Sequence, residues 1–256
     1  MRELDTAKKL LETEQYTVFQ PLNDIYVLDE GAVRNFLFTG RDAALLVDTG
    51  FGNIDYRGLV ASLTALPLLV ANTHCHEDHV CGNGAFSQVY MHPGAIRAMG
   101  QSSFAPKVEA IPMEEGYVFD LGGHHIEVVA CPGHTDHDVT FLDVENRLLA
   151  GGDVVMEFPM VLFPEASDPA SLIRSAKHLR TLGERYDCIL PSHGRWPLKR
   201  DVLDSLEAAA GAVLAGESGT PFTDTMPDGQ ALVGEQFRSG GVTLLMIDPK
   251  RSQLKE

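Results

Sequence analysis

Thr73-His74-Cys75-His76-Glu77-Asp78-His79 places three histidines and an aspartate within six residues, directly after the apolar run Leu68–Ala71. In an extended loop, residues i and i+2 face the same side, so His74 and His76 can grip one metal ion. Asp78 and His79 are adjacent, point apart, and suit a second metal or a mixed role. Imidazole and carboxylate are the ligands that zinc and the neighbouring first-row metals take.

Three further candidates each follow a predicted strand. His134 comes after His125–Ala130 and Cys131-Pro132-Gly133, and Asp153 after Leu148–Ala150 and Gly151-Gly152. His193 comes after Cys188–Leu190 and Pro191-Ser192, and it precedes Gly194. Glycine beside a ligand lets the backbone turn sharply and approach closely. Strand-end loops are where a rigid α/β scaffold carries its functional groups. Seven ligand candidates therefore fall in four separate strand-end loops. Asp48-Thr49-Gly50 closes one more strand, Ala43–Val47.

Around these loops, short β-type runs bounded by Pro, Asn, Gly or Asp cover Tyr16–Phe19, Ile25–Leu28 and Val33–Phe38. Val89–Met91, Tyr117–Leu121, Val139–Val144, Leu232–Phe237 and Val242–Ile247 read as strands too. Helices are predicted over Met1–Glu14, Ile54–Ala65, Pro93–Met99, Pro169–Leu182 and Asp201–Leu214. Strands dominate each half and helices recur between them, which is the order of two sheets packed together with helices outside.

At about 150 residues per domain, 256 residues make one large domain or two small ones. No linker or repeat divides the chain. Lys plus Arg is 20 and Asp plus Glu is 36, a net charge of −16. That balance disfavours a nucleic acid or an anionic membrane as partner. Four irregularly spaced cysteines do not form a disulfide framework. With no leader-like N-terminus and no apolar stretch of membrane-spanning length, a soluble cytoplasmic protein is expected.

The run His74 to His79 matches the H-x-H-x-D-H signature of the metallo-β-lactamase fold hydrolases. His134, Asp153 and His193 match that superfamily's remaining ligands in order, and Asp48-Thr49-Gly50 matches its early D-T-G turn. The resemblance extends from about residue 16 to residue 194. It implies a four-layer αββα sandwich of two mixed β-sheets with helices on the outer faces. It also implies a single domain over 1–256, with 1–15 as a helical extension and 195–256 as a C-terminal helix and closing strands. His74, His76 and His134 would hold one metal, Asp78, His79 and His193 a second, and Asp153 would bridge them. Asp48 would brace a ligand from behind.

Two divalent ions are implied, zinc first, with iron or manganese as alternatives. Two such ions acidify a shared water, and Asp78 is the expected catalytic residue that orients it. The reaction expected is hydrolysis of a small ester-like substrate, a thioester or a lactone. A phosphodiesterase and a mononuclear iron persulfide dioxygenase are the alternatives. The main dizinc β-lactamases carry cysteine where this chain has Asp153, which argues against antibiotic hydrolysis. Glyoxalase II-type thioesterases share every ligand but carry a helical, basic C-terminal domain, whereas here a helix and strands follow Gly194. The partner expected is a small molecule, with homodimerisation left open.

Of the remaining residues, Cys75 and Cys81 are expected to pack, and His137 to face solvent. His92, His124, His125 and His178 have no partner legible in the sequence. The apolar run Met156–Phe163 is either core or a wall over the metals.

Overall fold

The computed structural model describes residues 7–102, 106–225, 229 and 231–252. The first sheet has eight strands in sequence order: β1 (Lys8–Glu12), β2 (Thr17–Leu22), β3 (Ile25–Asp29), β4 (Arg34–Thr39), β5 (Ala44–Val47), β6 (Leu68–Ala71), β7 (Gln88–Met91) and β8 (Glu109–Pro112). β1 to β5 pair antiparallel, and β5 to β8 pair parallel. The parallel connections run through helices α1 (Tyr56–Leu63), α2 (Glu77–Val80) and α3 (Pro93–Met99). Asp55 opens α1, accepting from the Gly58 amide, and the His92 side chain does the same for α3 at Gly94.

The second sheet has the order β15-β14-β12-β11-β10-β9. Its strands are β9 (Val118–Asp120), β10 (His125–Ala130), β11 (Val139–Asp143), β12 (Leu148–Ala150), β14 (Cys188–Leu190) and β15 (Leu198–Lys199). It is mixed as well, because β12 and β14 pair parallel. Helices α4 (Pro169–Thr181) and α5 (Val202–Leu214) cover its outer face.

Three apolar clusters follow from this layering. Phe36, Phe38, Val47 and Ala71 of the first sheet meet Val128, Phe141, Ala150 and Leu190 of the second. Leu46, Val70 and Met91 face the other way, onto α1 and α3. Leu142, Leu149 and Ile189 pack on Leu172, Leu179, Leu203 and Leu206 of α4 and α5. The four residues of β5 are all buried, as a strand covered on both faces requires. The expected αββα sandwich is the architecture of the chain.

A third sheet was not anticipated. β13 (Pro159–Leu162), β16 (Thr220–Thr225), β17 (Ala231–Ser239) and β18 (Val242–Ile247) assemble in the order β13-β18-β17-β16 beside α5. The N-terminal expectation also fails. Residues 1–6 of the predicted helix lie outside the described residues, and Lys8–Glu12 is a strand exposed at all five positions. Its residues favour helix, but pairing with β2 supplies hydrogen bonds that an isolated short helix could not sustain. Among the described residues, no helix is long and apolar enough to cross a membrane.

Candidate metal centre

The seven candidates converge where the ends of β6, β10, β12 and β14 meet. β6 runs out into Asn72-Thr73, where the Thr73 carbonyl accepts from the Val139 amide of the opposite sheet at 2.9 Å. Asn72 Nδ2 donates to the His79 carbonyl at 2.9 Å, so the histidine loop is closed on its own root. The backbone is extended at His76 and then turns into the helical residues of α2. Asp78 and His79 therefore do not point apart, as extended geometry predicted, but converge on one centre. Asp153 arrives by a different device. Gly151 and Gly152 both have positive φ, and a Cβ on Gly151 would lie 2.9 Å from Thr73 Cγ2. Only glycine lets β12 turn this tightly beneath the histidine loop.

Two groups of ligand atoms result: His74, His76 and His134, and Asp78, His79, Asp153 and His193. In the first group, His76 Nδ1 lies 3.0 Å from both His74 Nε2 and His134 Nε2. In the second, His79 Nε2 is 3.5 Å from Asp78 Oδ2 and 3.4 Å from Asp153 Oδ1. His193 Nε2 is 3.2 Å from Asp78 Oδ2 and 3.4 Å from Asp153 Oδ2. Asp153 Oδ2 also lies 3.8 Å from His134 Nε2, so this carboxylate touches both groups. Zinc–ligand bonds of about 2.0–2.1 Å at tetrahedral angles separate neighbouring donor atoms by about 3.3 Å. The observed spacings bracket that value. His79 Nε2 and Asp153 Oδ1 are buried and make no hydrogen bond, a costly state unless a cation takes both lone pairs. The donor set fits two divalent metal ions.

The opposite ring nitrogens are held from outside. Asp48 Oδ2 lies 2.9 Å from His79 Nδ1 and accepts from Thr73 Oγ1 at 2.8 Å, while Oδ1 accepts from the Thr73 amide at 2.8 Å. Asp48 has φ 64° and is fully buried, so it is a bracing carboxylate rather than a surface turn residue. His193 Nδ1 lies 2.6 Å from the Ala32 carbonyl and His134 Nδ1 3.1 Å from that of Val161. Such partners fix the tautomer and aim the other nitrogen at the metal. Thr73, which links Asp48 to His74 at 3.1 Å, carries no signal in the sequence that would mark it.

The two groups differ in their electrostatic surroundings. Burial, with His79 and His76 nearby, pushes His74 well below the usual histidine range, and burial beside His134 takes His76 down to about 3. Both are neutral imidazoles with lone pairs to offer. In the other group, burial opposes charge on His79 and His193, but the carboxylates prevail. Asp78, Asp153 and Asp48 raise His79 well above its ordinary value, and Asp153 first among the neighbours raises His193 to about 10. Burial would likewise raise Asp78 and Asp153, yet His79 and His193 hold both carboxyls below the normal range.

The other histidines find structural work. His137 does not face solvent, as expected, but is buried, with Nε2 3.3 Å from Cys75 Sγ and Nδ1 2.6 Å from Asp136. Burial raises the Cys75 thiol to about 11, in keeping with a packing role. His124 Nε2 lies 2.9 Å from Asp143 and Nδ1 2.9 Å from the Thr39 carbonyl. His125 pairs with Glu145 and His178 with Glu115, each at 2.7 Å. The run Met156–Phe163 divides: Met156, Met160 and Leu162 are core, whereas Phe158 is exposed.

An αββα sandwich with two adjoining His/Asp groups at one end of its sheets defines a class of metal-binding proteins. The family model described as the metallo-beta-lactamase superfamily matches residues 28–193, and the chain belongs to that superfamily. The chain is 26% identical over 196 residues to an acyl-coenzyme A thioesterase of Gallus gallus, covering 62% of this chain and 71% of that one. It is 28% identical over 173 residues to an atrochrysone carboxyl ACP thioesterase of Aspergillus fumigatus, covering 66% and 50%. A persulfide dioxygenase of Homo sapiens is 31% identical over 98 residues, covering 38% and 37%. The matches thus span from about a third to seven tenths of these relatives' own length. Among solved structures, a metallo-beta-lactamase from Erythrobacter litoralis superposes with TM-score 0.64 at 17% identity, covering 78% of this chain and 98% of that one.

Proposed function

We propose that the chain is a dinuclear metal-dependent hydrolase of a small ester-like substrate, a thioester or a lactone. The observation that carries this reading is the contact of Asp153 with both ligand groups, which suits a carboxylate between two cations. His74, His76 and His134 would hold one ion, Asp78, His79 and His193 the other, with zinc the natural occupant of such N and O donors. When bound, the two ions would supply Lewis acidity, lowering the pKa of water towards about 7 and polarising a carbonyl.

The chain's own residues do the rest. Asp78 is the most open member of its group, its side chain 22% exposed against 0–9% for His79, Asp153 and His193. Its carboxylate is held ionised and meets solvent, so it can accept a hydrogen bond from the attacking water and orient it towards the substrate carbonyl. Asp48 and the Ala32 and Val161 carbonyls keep the imidazoles aimed, so no reorganisation is needed as charge develops. Thioesterases among the relatives support an ester-type bond. Four free thiols suit a reducing, cytoplasmic setting.

The relationship to a persulfide dioxygenase favours a second reading, a single iron acting with oxygen. Metal analysis joined to a hydrolysis screen separates the two. Two ions per chain and turnover of thioesters or lactones are expected. One iron with oxygen uptake overturns the hydrolase, and turnover of phosphodiesters alone moves the substrate class.

A further inference from the structure

Phe158 stands apart from its neighbours. Met156 and Met160 are 3% and 0% exposed, whereas Phe158, halfway between them, is 46% exposed. An extended chain would send all three to the same side, but bends at 157 and 158 rotate Phe158 out of the core. Its ring lies over the imidazole of His193, with centroids 5.6 Å apart and planes 24° apart. The loop after β14 packs closely against it. Gly194 has φ 70°, and a Cβ there would meet the Glu157 carbonyl oxygen at 2.6 Å and Phe158 Cβ at 3.0 Å. The nearby cation, Arg195, is spent on Glu157, donating from Nε at 2.7 Å. The ring thus offers an open apolar face at the rim of the metal centre, beside a paired cation.

We propose that Phe158 forms an apolar subsite that takes the alkyl or aryl part of an uncharged acyl moiety while its carbonyl sits at the metals. Aromatic rings contribute large contact area at fixed geometry, and pockets of this kind set orientation by a few polar groups and affinity by apolar ones. The identity of the ligand rests on the ester-hydrolase reading; the apolar subsite itself does not.

The test uses the zinc-loaded 256-residue chain and butanoyl, hexanoyl and octanoyl thioesters of one thiol, with KM and kcat measured separately. Burying a methylene completely is worth roughly fourfold in affinity, so a half-open ring should lower KM by roughly twofold per methylene. Phe158→Ala should flatten the series with bound metal and Tm unchanged, and Phe158→Tyr should restore it. Calorimetric binding of butanoate, hexanoate and octanoate should show the same dependence and the same loss. An unchanged series in Phe158→Ala, or no chain-length dependence in the wild type, overturns the subsite. Loss of a metal ion from Phe158→Ala also overturns it, making the ring a support for His193. If no thioester is turned over but the carboxylates still rank by length through Phe158, the subsite stands and the thioester reading falls.

Discussion

Asp48→Asn is the sharpest probe of how the centre is held, because it changes one atom in a buried position without disturbing the backbone. Asparagine tolerates the left-handed φ of 64° about as well as aspartate, so strain is not the variable. Asp48 faces four donors through two oxygens: the Thr73 amide and, at 3.4 Å, Asn72 Nδ2 on Oδ1, and Thr73 Oγ1 and His79 Nδ1 on Oδ2. Whichever way the amide is turned, its NH₂ meets at least one of these donors. Losing one charge-assisted hydrogen bond in a fully buried site costs about 1.5–3 kcal/mol. For a chain of this size that lowers Tm by roughly 3–12 °C, at about 2–4 °C per kcal/mol. Loss of a partner behind a metal-bound imidazole weakens the metal by about 10–100-fold. At about 1.4 kcal/mol per decade that is a similar free energy, as expected when one bond underlies both effects. The loss should fall on the His79 group, because Asp48 reaches His74 only through Thr73. Zinc titration against a chromophoric chelator, with Tm followed in parallel, reads both quantities. Two ions held with wild-type affinity and an unshifted Tm would refute the bracing role.

Asp153→Ala should lose at least one ion, so that bound metal and turnover fall together, while Asp78→Asn should lose about 10²–10⁴-fold in rate and less metal. Both are read on the same preparations, and normal metal and turnover in Asp153→Ala would show that the site is built differently. At the other end of the sheets, burial opposes a charge on His124, but the hydrogen bond to Asp143 prevails and raises it to about 9. A histidine raised above its unfolded value near 6.5 contributes fully below that pH and loses its contribution as pH rises to about 9. Tm should therefore decline across pH 6.5–9, and Asp143→Asn should flatten the slope. An equal slope in that variant would show that other groups set it.

Most of the centre was legible because its logic is local. Each ligand sits within a few residues of an apolar strand and beside a turn, and strand periodicity and glycine both survive in a linear reading. What escaped depends on distant partners. Lys8–Glu12 carries no burial pattern, so nothing in the run distinguishes an exposed edge strand from an exposed helix. Thr220–Thr225 contains Pro221 and is almost wholly exposed, which hides it equally well. His137 looked solvated because Cys75, 62 residues earlier, is what encloses it. His124 is held chiefly by Thr39 and Asp143, drawn from β4 and β11.

The origin of the ligands has a thermodynamic consequence. His74, His76, Asp78 and His79 follow β6 of the first sheet, and His134, Asp153 and His193 follow strands of the second. Both donor groups draw from both sheets. Ions held there would require the two sheets to be docked, and by linkage each would stabilise the docked state by the free energy of its own binding. That amounts to about 4 kcal/mol at a free concentration a thousand times Kd. The pair of ions would thus act as a non-covalent rivet through the sandwich, tying the cohesion of its two halves to the supply of metal.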